Sequence, residues 1–172
     1  SNSYQSIYSD EELSYIKTKI SQRASLVNQY NSVERGKLLD VGCGEGFVMR
    51  HYHDKNWSID GIDFSEYGIT SLNPDLLSFF EKGDVSPIIE TKIENLEKFD
   101  VIWLGNVLEH VNDPTHLLKR LKLLLNTKGT IVITVPNDGS SYQELLLNKN
   151  YVNRHSWITP PEHLSYFSYD RG

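Results

Sequence analysis

Hydrophobic positions along the chain follow two different periods. Over residues 10–30 they fall at Leu13, Ile16, Ile20, Ala24 and Val27, the spacing of one helix face, with Ser9 or Asp10 placed to cap it. From residue 37 onward, short apolar runs alternate with helix-like stretches. The runs predict strands at 37–41, at 57–62 (closing at Asp63), at 77–82, at 99–104 and at 130–135. Between them the spacing predicts helices over 46–54, from Ser65 toward Leu72, and over 88–98. Asp113-Pro114 is the clearest helix start, a capping carboxylate followed by proline at the first helical position. Leu117, Leu118, Leu121, Leu124 and Leu125 continue that helix on one face, and residues 126–129 end it. The fifth strand is β-branched at nearly every position and reads as buried on both faces. Beyond Pro136 the regularity fades into a short helix near 145–147 and an aromatic-rich tail from Trp157 to Tyr169. Strand and helix in alternation predict an α/β fold with a parallel sheet and crossover helices.

Composition narrows the setting. At 172 residues the chain is one domain's worth, with room for a hydrophobic core. Its 38% hydrophobic and 23% charged residues are ordinary for a globular protein in water. No apolar run approaches membrane-spanning length and no basic-then-apolar leader is present, so no membrane partner is expected. The opening Ser1-Asn2-Ser3 lacks an initiator methionine and reads as a cleavage scar or a processed end. Cys43 is the single cysteine, which excludes an internal disulfide and makes a reducing cytoplasm the simplest home. A net charge of −6 argues against a nucleic-acid partner, since phosphate binding draws on clustered Lys and Arg. Lys119, Arg120 and Lys122 lie on a predicted helix and read as a solvated face.

The stretch Lys37-Leu-Leu-Asp-Val-Gly-Cys-Gly-Glu-Gly-Phe47 carries the chemistry. A strand runs into glycines at alternating positions, where backbone with positive φ and close ligand approach are both accessible. An open α/β sheet holds a nucleotide-like cofactor in this place, at the carboxyl end of its first strand. Dinucleotide binders favour G-x-G-x-x-G, with phosphate on the helix N-terminus. Here the pattern is Asp40-x-Gly-x-Gly-x-Gly, with Glu45 inside the turn. Two carboxylates would repel a pyrophosphate but attract a cofactor bearing an ammonium and a sulfonium. The spacing therefore points to S-adenosylmethionine. Asp63, at the end of the second strand, is suited to accept hydrogen bonds from ribose hydroxyls, or else caps a helix. Asp84 after the third strand reads either as an acceptor for an adenine amino group, with Val85 packing on the ring, or as an ordinary loop acid.

Taken together, Leu38-Leu-Asp-Val-Gly-Cys-Gly-Glu-Gly46, Asp63, Gly83-Asp84 and Asn106-Val-Leu-Glu-His-Val-x-Asp-Pro114 resemble class I S-adenosylmethionine-dependent methyltransferases over about residues 36–136. The resemblance implies a Rossmann-like, doubly wound, mostly parallel sheet of order 3-2-1-4-5-7-6. It places Asp40, Gly42, Cys43, Gly44 and Gly46 along the methionine half of the cofactor, Asp63 on the ribose, and Asp84 and Val85 on the adenine. Asn106 and Val107 would lie near the sulfonium. Phe64 would lie on the adenine face or pack in the core. The tail Trp157-Ile-Thr-Pro-Pro-Glu-His-Leu-Ser-Tyr-Phe167 is similar to ubiquinone-pathway and sugar- or polysaccharide-modifying members, which favours a small-molecule or glycan-like acceptor. No N-P-P-[YF] element follows strand 4, which weakens a reading toward amide or nucleobase nitrogens. The chain ends at Gly172, before strands 6 and 7 of the family pattern. It is expected to be a truncated piece or a short natural variant, with residues 140–172 or a second copy in a homodimer shielding the edge of strand 5. The layout is a single domain, 1–172: a helical lead-in to residue 35, a cofactor-binding core over 36–136, and a partial acceptor or lid region over 137–172.

Methyl transfer is an in-line displacement at the sulfonium carbon, and a hydroxyl acceptor needs a group to receive its proton. His163 and His110 are the candidates, with Glu162 available to orient a neighbour and His110 alternatively bonded to its own loop. Tyr4 and Tyr8 read as an N-terminal lid or a plain helical lead-in, and Cys43 as a small residue rather than a nucleophile. No metal is required: His51 and His53 point apart on one helix and read as surface. The expected activity is methyl transfer to oxygen. The alternatives are a module that binds the cofactor without turnover and a nicotinamide-dependent dehydrogenase.

Overall fold

The computed structural model describes residues 8–31, 33–137, 140–152 and 163–167. The chain runs α1 (Asp10–Tyr30), β1 (Lys37–Val41), α2 (Phe47–His53), β2 (Ser58–Asp63), α3 (Tyr67–Leu72), a 3₁₀ turn (Pro74–Phe79) and β3 (Phe80–Lys82). It continues through α4 (Val85–Glu94), β4 (Phe99–Gly105), a 3₁₀ turn (Leu108–His110), α5 (Pro114–Leu123), β5 (Leu125–Thr134) and α6 (Ser141–Asn148). All strands pair in parallel, in the order β3-β2-β1-β4-β5. This is the expected sheet, and the order reverses between β1 and β4.

Period-2 side chains divide the core into two layers, one on each face of the sheet. Leu39, Val41, Ile102 and Leu104 pack with Ile88, Ile89, Leu117 and Leu121 of α4 and α5. Leu38, Ile59, Val101 and Trp103 pack with Ala24 and Val27 of α1, Met49 and Tyr52 of α2, and Ile69 of α3. Ser9 caps α1 in a complete capping box with Glu12. Lys37 and Lys92 share Asp60 and Glu97 in an ion network by the start of β1. No helix of the described residues is long and apolar enough to cross a membrane.

Three elements depart from the pattern. The third strand is only Phe80–Lys82, because Pro74 starts a 3₁₀ turn that carries Leu76 and Leu77 away from alternation. Helix α4 begins earlier than expected, at Val85, since the Asp84 side chain accepts from Ser86 N–H at 3.2 Å. It also ends earlier: Leu96 takes φ 57° and the Glu97 N–H returns to Lys92 O at 3.0 Å. The third departure is β5. Helix α5 stops at Leu123, Leu125 already pairs with Phe99, and a register shift follows before Thr130 pairs with Val101. None of its residues is fully buried and Ile133 is 44% exposed, so β5 is an edge strand rather than a doubly covered one.

Helix α3 fixes the height of the glycine turn. A Cβ at Gly68 would stand 2.9 Å from Gly44 C and O and 3.0 Å from Glu45 N, all backbone atoms that have no rotamer to escape into. Gly68→Ala is expected to lower stability by about 1–3 kcal/mol in urea denaturation, the usual range for an overpacked contact. An unchanged midpoint would show that α3 does not bear on the turn.

Candidate cofactor site

The site is built on the carboxyl ends of β1, β2 and β4. Gly42, Gly44 and Gly46 all have positive φ, and at Gly42 the requirement is also steric. A Cβ there would be 2.5 Å from Val107 Cγ2, so the loop after β4 reaches the turn only because position 42 has no side chain. The turn's amides face inward. Gly42 and Cys43 N–H both donate to Ile62 O, at 2.8 and 3.1 Å, and Gly46 N–H donates to Cys43 O at 2.8 Å. Gly44 N–H donates to Asp63 Oδ2 at 2.9 Å, while Ser65 N–H donates to Asp63 Oδ1 at 3.0 Å. Asp63 is thus the brace of the turn, and each of its oxygens keeps capacity for a further donor.

Two cavities flank Gly42. One, of about 420 Å³, is walled by Asp63, Phe64, Gly83, Asp84, Val85 and Asn106, with Val107 and His110 beside them. It collects the residues expected around ribose and adenine. Phe64 is 81% exposed and so is not a core residue; its ring stands on the cavity wall. Asp84 combines its cavity position with the cap of α4. The other cavity, of about 610 Å³, lies between the turn and α1, and Asp40, Cys43, Gly44 and Glu45 line it. Lys19 and Arg23 of α1 line it too, neither of them singled out by the sequence pattern. Their i, i+4 spacing on a helix that precedes the glycine turn was the available signal. Asn106 adopts φ 57°, an uncommon conformation that asparagine tolerates, and its N–H donates to Thr134 O at 2.8 Å.

Tyr8 lies where a lid residue would. Its hydroxyl donates to Glu45 Oε1 at 3.0 Å and its ring packs edge-on against Phe47. Tyr4 and Glu162 lie outside the described residues. His110 and His163 come together, their rings 5.1 Å apart and steeply inclined. His110 stands on the wall of the smaller cavity. Glu109 between the loop and the tail is 1% exposed, and its carbonyl accepts from Leu164 N–H at 2.7 Å and Ser165 N–H at 3.1 Å. His51, expected at the surface, is half-buried, with its Nε2 unpartnered and burial holding its pKa below the usual range.

Electrostatics separate the acids. Asp40 is 2% exposed and its Oδ2 has no hydrogen-bond partner among the described residues. Burial, then the charge of Asp63, push its carboxyl up to about 8, against a small opposing pull from Met49 N–H. Burial likewise raises the Cys43 thiol far above its ordinary range, which removes it as a nucleophile. Between about pH 4 and pH 8 the native cofactor-free protein therefore holds a proton that the unfolded chain has released. Stability is expected to fall as pH rises through that window, and Asp40→Asn to flatten the decline. Thermal unfolding of both proteins across the range checks this; parallel curves would mean that Asp40 is ionised at neutral pH.

Comparison with known proteins agrees with this geometry. The methyltransferase-domain family matches residues 11–170. The ubiquinone biosynthesis O-methyltransferase of Rhodopseudomonas palustris is 26% identical over 136 residues, covering 73% of this chain and 54% of that protein. The tRNA U34 carboxymethyltransferase of Nautilia profundicola is 32% identical over 117 residues, covering 63% of this chain and 37% of that protein. Among solved structures, a SAM dependent methyltransferase from Archaeoglobus fulgidus superposes with a TM-score of 0.57 at 22% identity, over 92% of this chain and 64% of the other. The plantazolicin methyltransferase BpumL, solved in complex with SAH, gives 0.62 at 21% identity, over 89% and 56%. The chain spans about half the length of the curated relatives it matches. The family match over nearly the whole chain decides the assignment: it belongs to the methyltransferase-domain family, whose cofactor is S-adenosylmethionine.

Proposed function

We propose that the protein transfers the methyl group of S-adenosylmethionine to oxygen of a small-molecule or glycan-like acceptor. The observation that carries the cofactor half is the inward-facing turn. With the amides of Gly42, Cys43, Gly44 and Gly46 all hydrogen-bonded within the protein, none of those four N–H groups is left for a pyrophosphate. Asp40 and Glu45 line the adjoining cavity. That arrangement favours a ligand carrying positive charge over a dinucleotide. Arg23 and Lys19 on the opposite wall suit the cofactor's own carboxylate. Asp63 and Asp84 take the ribose and adenine, with Phe64 on the ring face. Asn106 and Val107, at the junction of the two cavities, stand by the sulfonium.

Several independent features bear on the acceptor. Relatives named as ubiquinone biosynthesis O-methyltransferases favour oxygen. One relative is named for a tRNA substrate; a net charge of −6 favours a small acceptor over a polyanion for this chain. The acceptor's hydroxyl proton passes to the imidazole pair His110 and His163. The partly covered edge of β5 suits a second copy of the chain, and the single buried cysteine suits a reducing cytoplasm.

Calorimetric titration separates the readings. Wild-type chain is expected to bind S-adenosylmethionine and S-adenosylhomocysteine with micromolar Kd, about −8 kcal/mol, and NAD not at all. Asp63→Ala is expected to lose tenfold or more. Binding without S-adenosylhomocysteine release in the presence of hydroxylated aromatics and sugars would favour the module that binds without turnover. A folded chain that binds neither compound would refute the assignment of the site.

A further inference from the structure

Beside the smaller cofactor cavity, the described residues hold a cluster of chemically capable side chains whose buried members methyl transfer alone does not account for. Glu109, His110 and His163 each present a ligand-type atom, and these atoms lie within 4.8 Å of one another. Glu109 is almost wholly buried and its Oε2 has no hydrogen-bond partner. The Nδ1 of His163 is also buried without a partner. An unpartnered buried carboxylate is costly, and so is an unpartnered buried ring nitrogen. One proton answers both demands, because a carboxylate accepts what an imidazole N–H donates.

We propose that Glu109 is a positioning residue that holds His163 as the Nδ1–H tautomer, leaving Nε2 as the proton acceptor of the methyl-transfer reaction. The ligand atoms of the cluster lie within 4.8 Å of one another, a span that one bridging water covers. Glu109 is well placed to keep this geometry, since its own carbonyl pins the tail through Leu164 and Ser165 N–H. The carboxylate thus stands at the root of the segment whose imidazole it orients. The role in catalysis rests on the oxygen-acceptor reading; the carboxylate–imidazole pairing does not.

In the reaction, a lone pair of the acceptor oxygen forms the new bond to the methyl carbon, and the carbon–sulfur bond breaks with its electrons passing to sulfur. The hydroxyl proton moves to His163 Nε2, and the resulting imidazolium is stabilised by the Glu109 carboxylate. S-adenosylhomocysteine and the methyl ether are the products. Among the described residues, the groups facing His163 are Glu109 and His110 from the loop after β4 and Tyr166 from its own segment. Around His110, the neighbouring cleft adds Asp84, Asp113, His116 and the Arg120–Glu90 ion pair.

Ring-nitrogen NMR of the imidazoles, on the full chain saturated with S-adenosylhomocysteine, tests the pairing without any acceptor. His163→Ala and His110→Ala assign the two rings. Glu109→Gln, which keeps shape but removes charge, is expected to shift the His163 ring away from the Nδ1–H tautomer. Glu109→Asp is expected to recover part of that shift. In the wild type, ring-nitrogen chemical shifts of the neutral imidazole are expected to show the Nδ1–H tautomer, a reading that needs no variant. An Nε2–H tautomer in the wild type, or an unchanged tautomer in a Glu109→Gln chain that still binds S-adenosylhomocysteine, overturns the proposal. So does a cluster whose imidazole signals respond to a chelator rather than to pH, for then a cation, not a proton, joins the carboxylate to the imidazole. Failure of the wild type to bind S-adenosylhomocysteine would count against the cofactor reading, while the tautomer measurement would still decide the pairing.

Discussion

Asp63 ties the two nucleotide-facing loops to each other. One oxygen accepts from Gly44 N–H and the other from Ser65 N–H. The glycine turn and the loop after β2 are therefore held by a single carboxylate at the ends of adjacent strands. Carboxylates hydrogen-bonded to backbone N–H groups make stronger contacts than neutral acceptors do. The rest of the site inherits its geometry from this contact. With the turn fixed, Gly42 sits where Val107 can pack against a bare Cα, and the loop after β4 descends onto the cofactor floor. With the loop after β2 fixed, Phe64 is presented outward to the cavity instead of inward to the core. A ribose ligand would add to the same carboxylate rather than replace its existing partners.

The stability of the empty site is governed by a second acid. Asp40 occupies a strand position whose neighbours in sequence, Leu39 and Val41, lie fully buried on the other face. A charge there loses most of its hydration, and the neighbouring charge of Asp63 makes ionisation harder still. Folding tolerates this because the group can stay protonated. A cationic ligand in the adjoining cavity would reverse the balance, since it favours the ionised form that burial disfavours. Under the proposed cofactor reading, the fold keeps a locally unfavourable residue where a cationic ligand would use its charge, the pattern expected of functional sites.

How much of this is legible in the chain follows from where each signal resides. Strand β4 is readable from its apolar run and β1 from the apolar residues leading into the glycine turn, while β2 is placed by the alternation of strand and helix and by Asp63 at its end; the glycine spacing points to the cofactor. Strand β3 misleads because Leu76, Leu77, Phe79 and Phe80 look like a strand in composition, while Pro74 imposes a turn. Strand β5 misleads in the opposite sense. Its β-branched residues suit a strand, but burial depends on what covers the sheet edge, and nothing local encodes that. Lys19 and Arg23 stay hidden because a helical cation facing a cavity looks, in sequence, like one facing water. Glu109 stands inside a recognisable motif, yet its apposition to His163 arises from the path of the tail, not from any short spacing.

The walls of the site are held differently from its floor. The floor is strand ends bonded across a parallel sheet, where each displacement would break several backbone hydrogen bonds together. Beside the site stand the two ends of the described chain, each in contact with a strand-end loop: Tyr8 with Glu45 and Phe47, and the segment at 163–167 with the carbonyl of Glu109. Phe167 adds an apolar anchor against the α4–α5 side of the core. Segments outside the sheet change sequence and position without endangering it. A fold of this kind can therefore keep one cofactor geometry while its walls accept different acceptors, which is why the cofactor is legible from sequence and the acceptor is not.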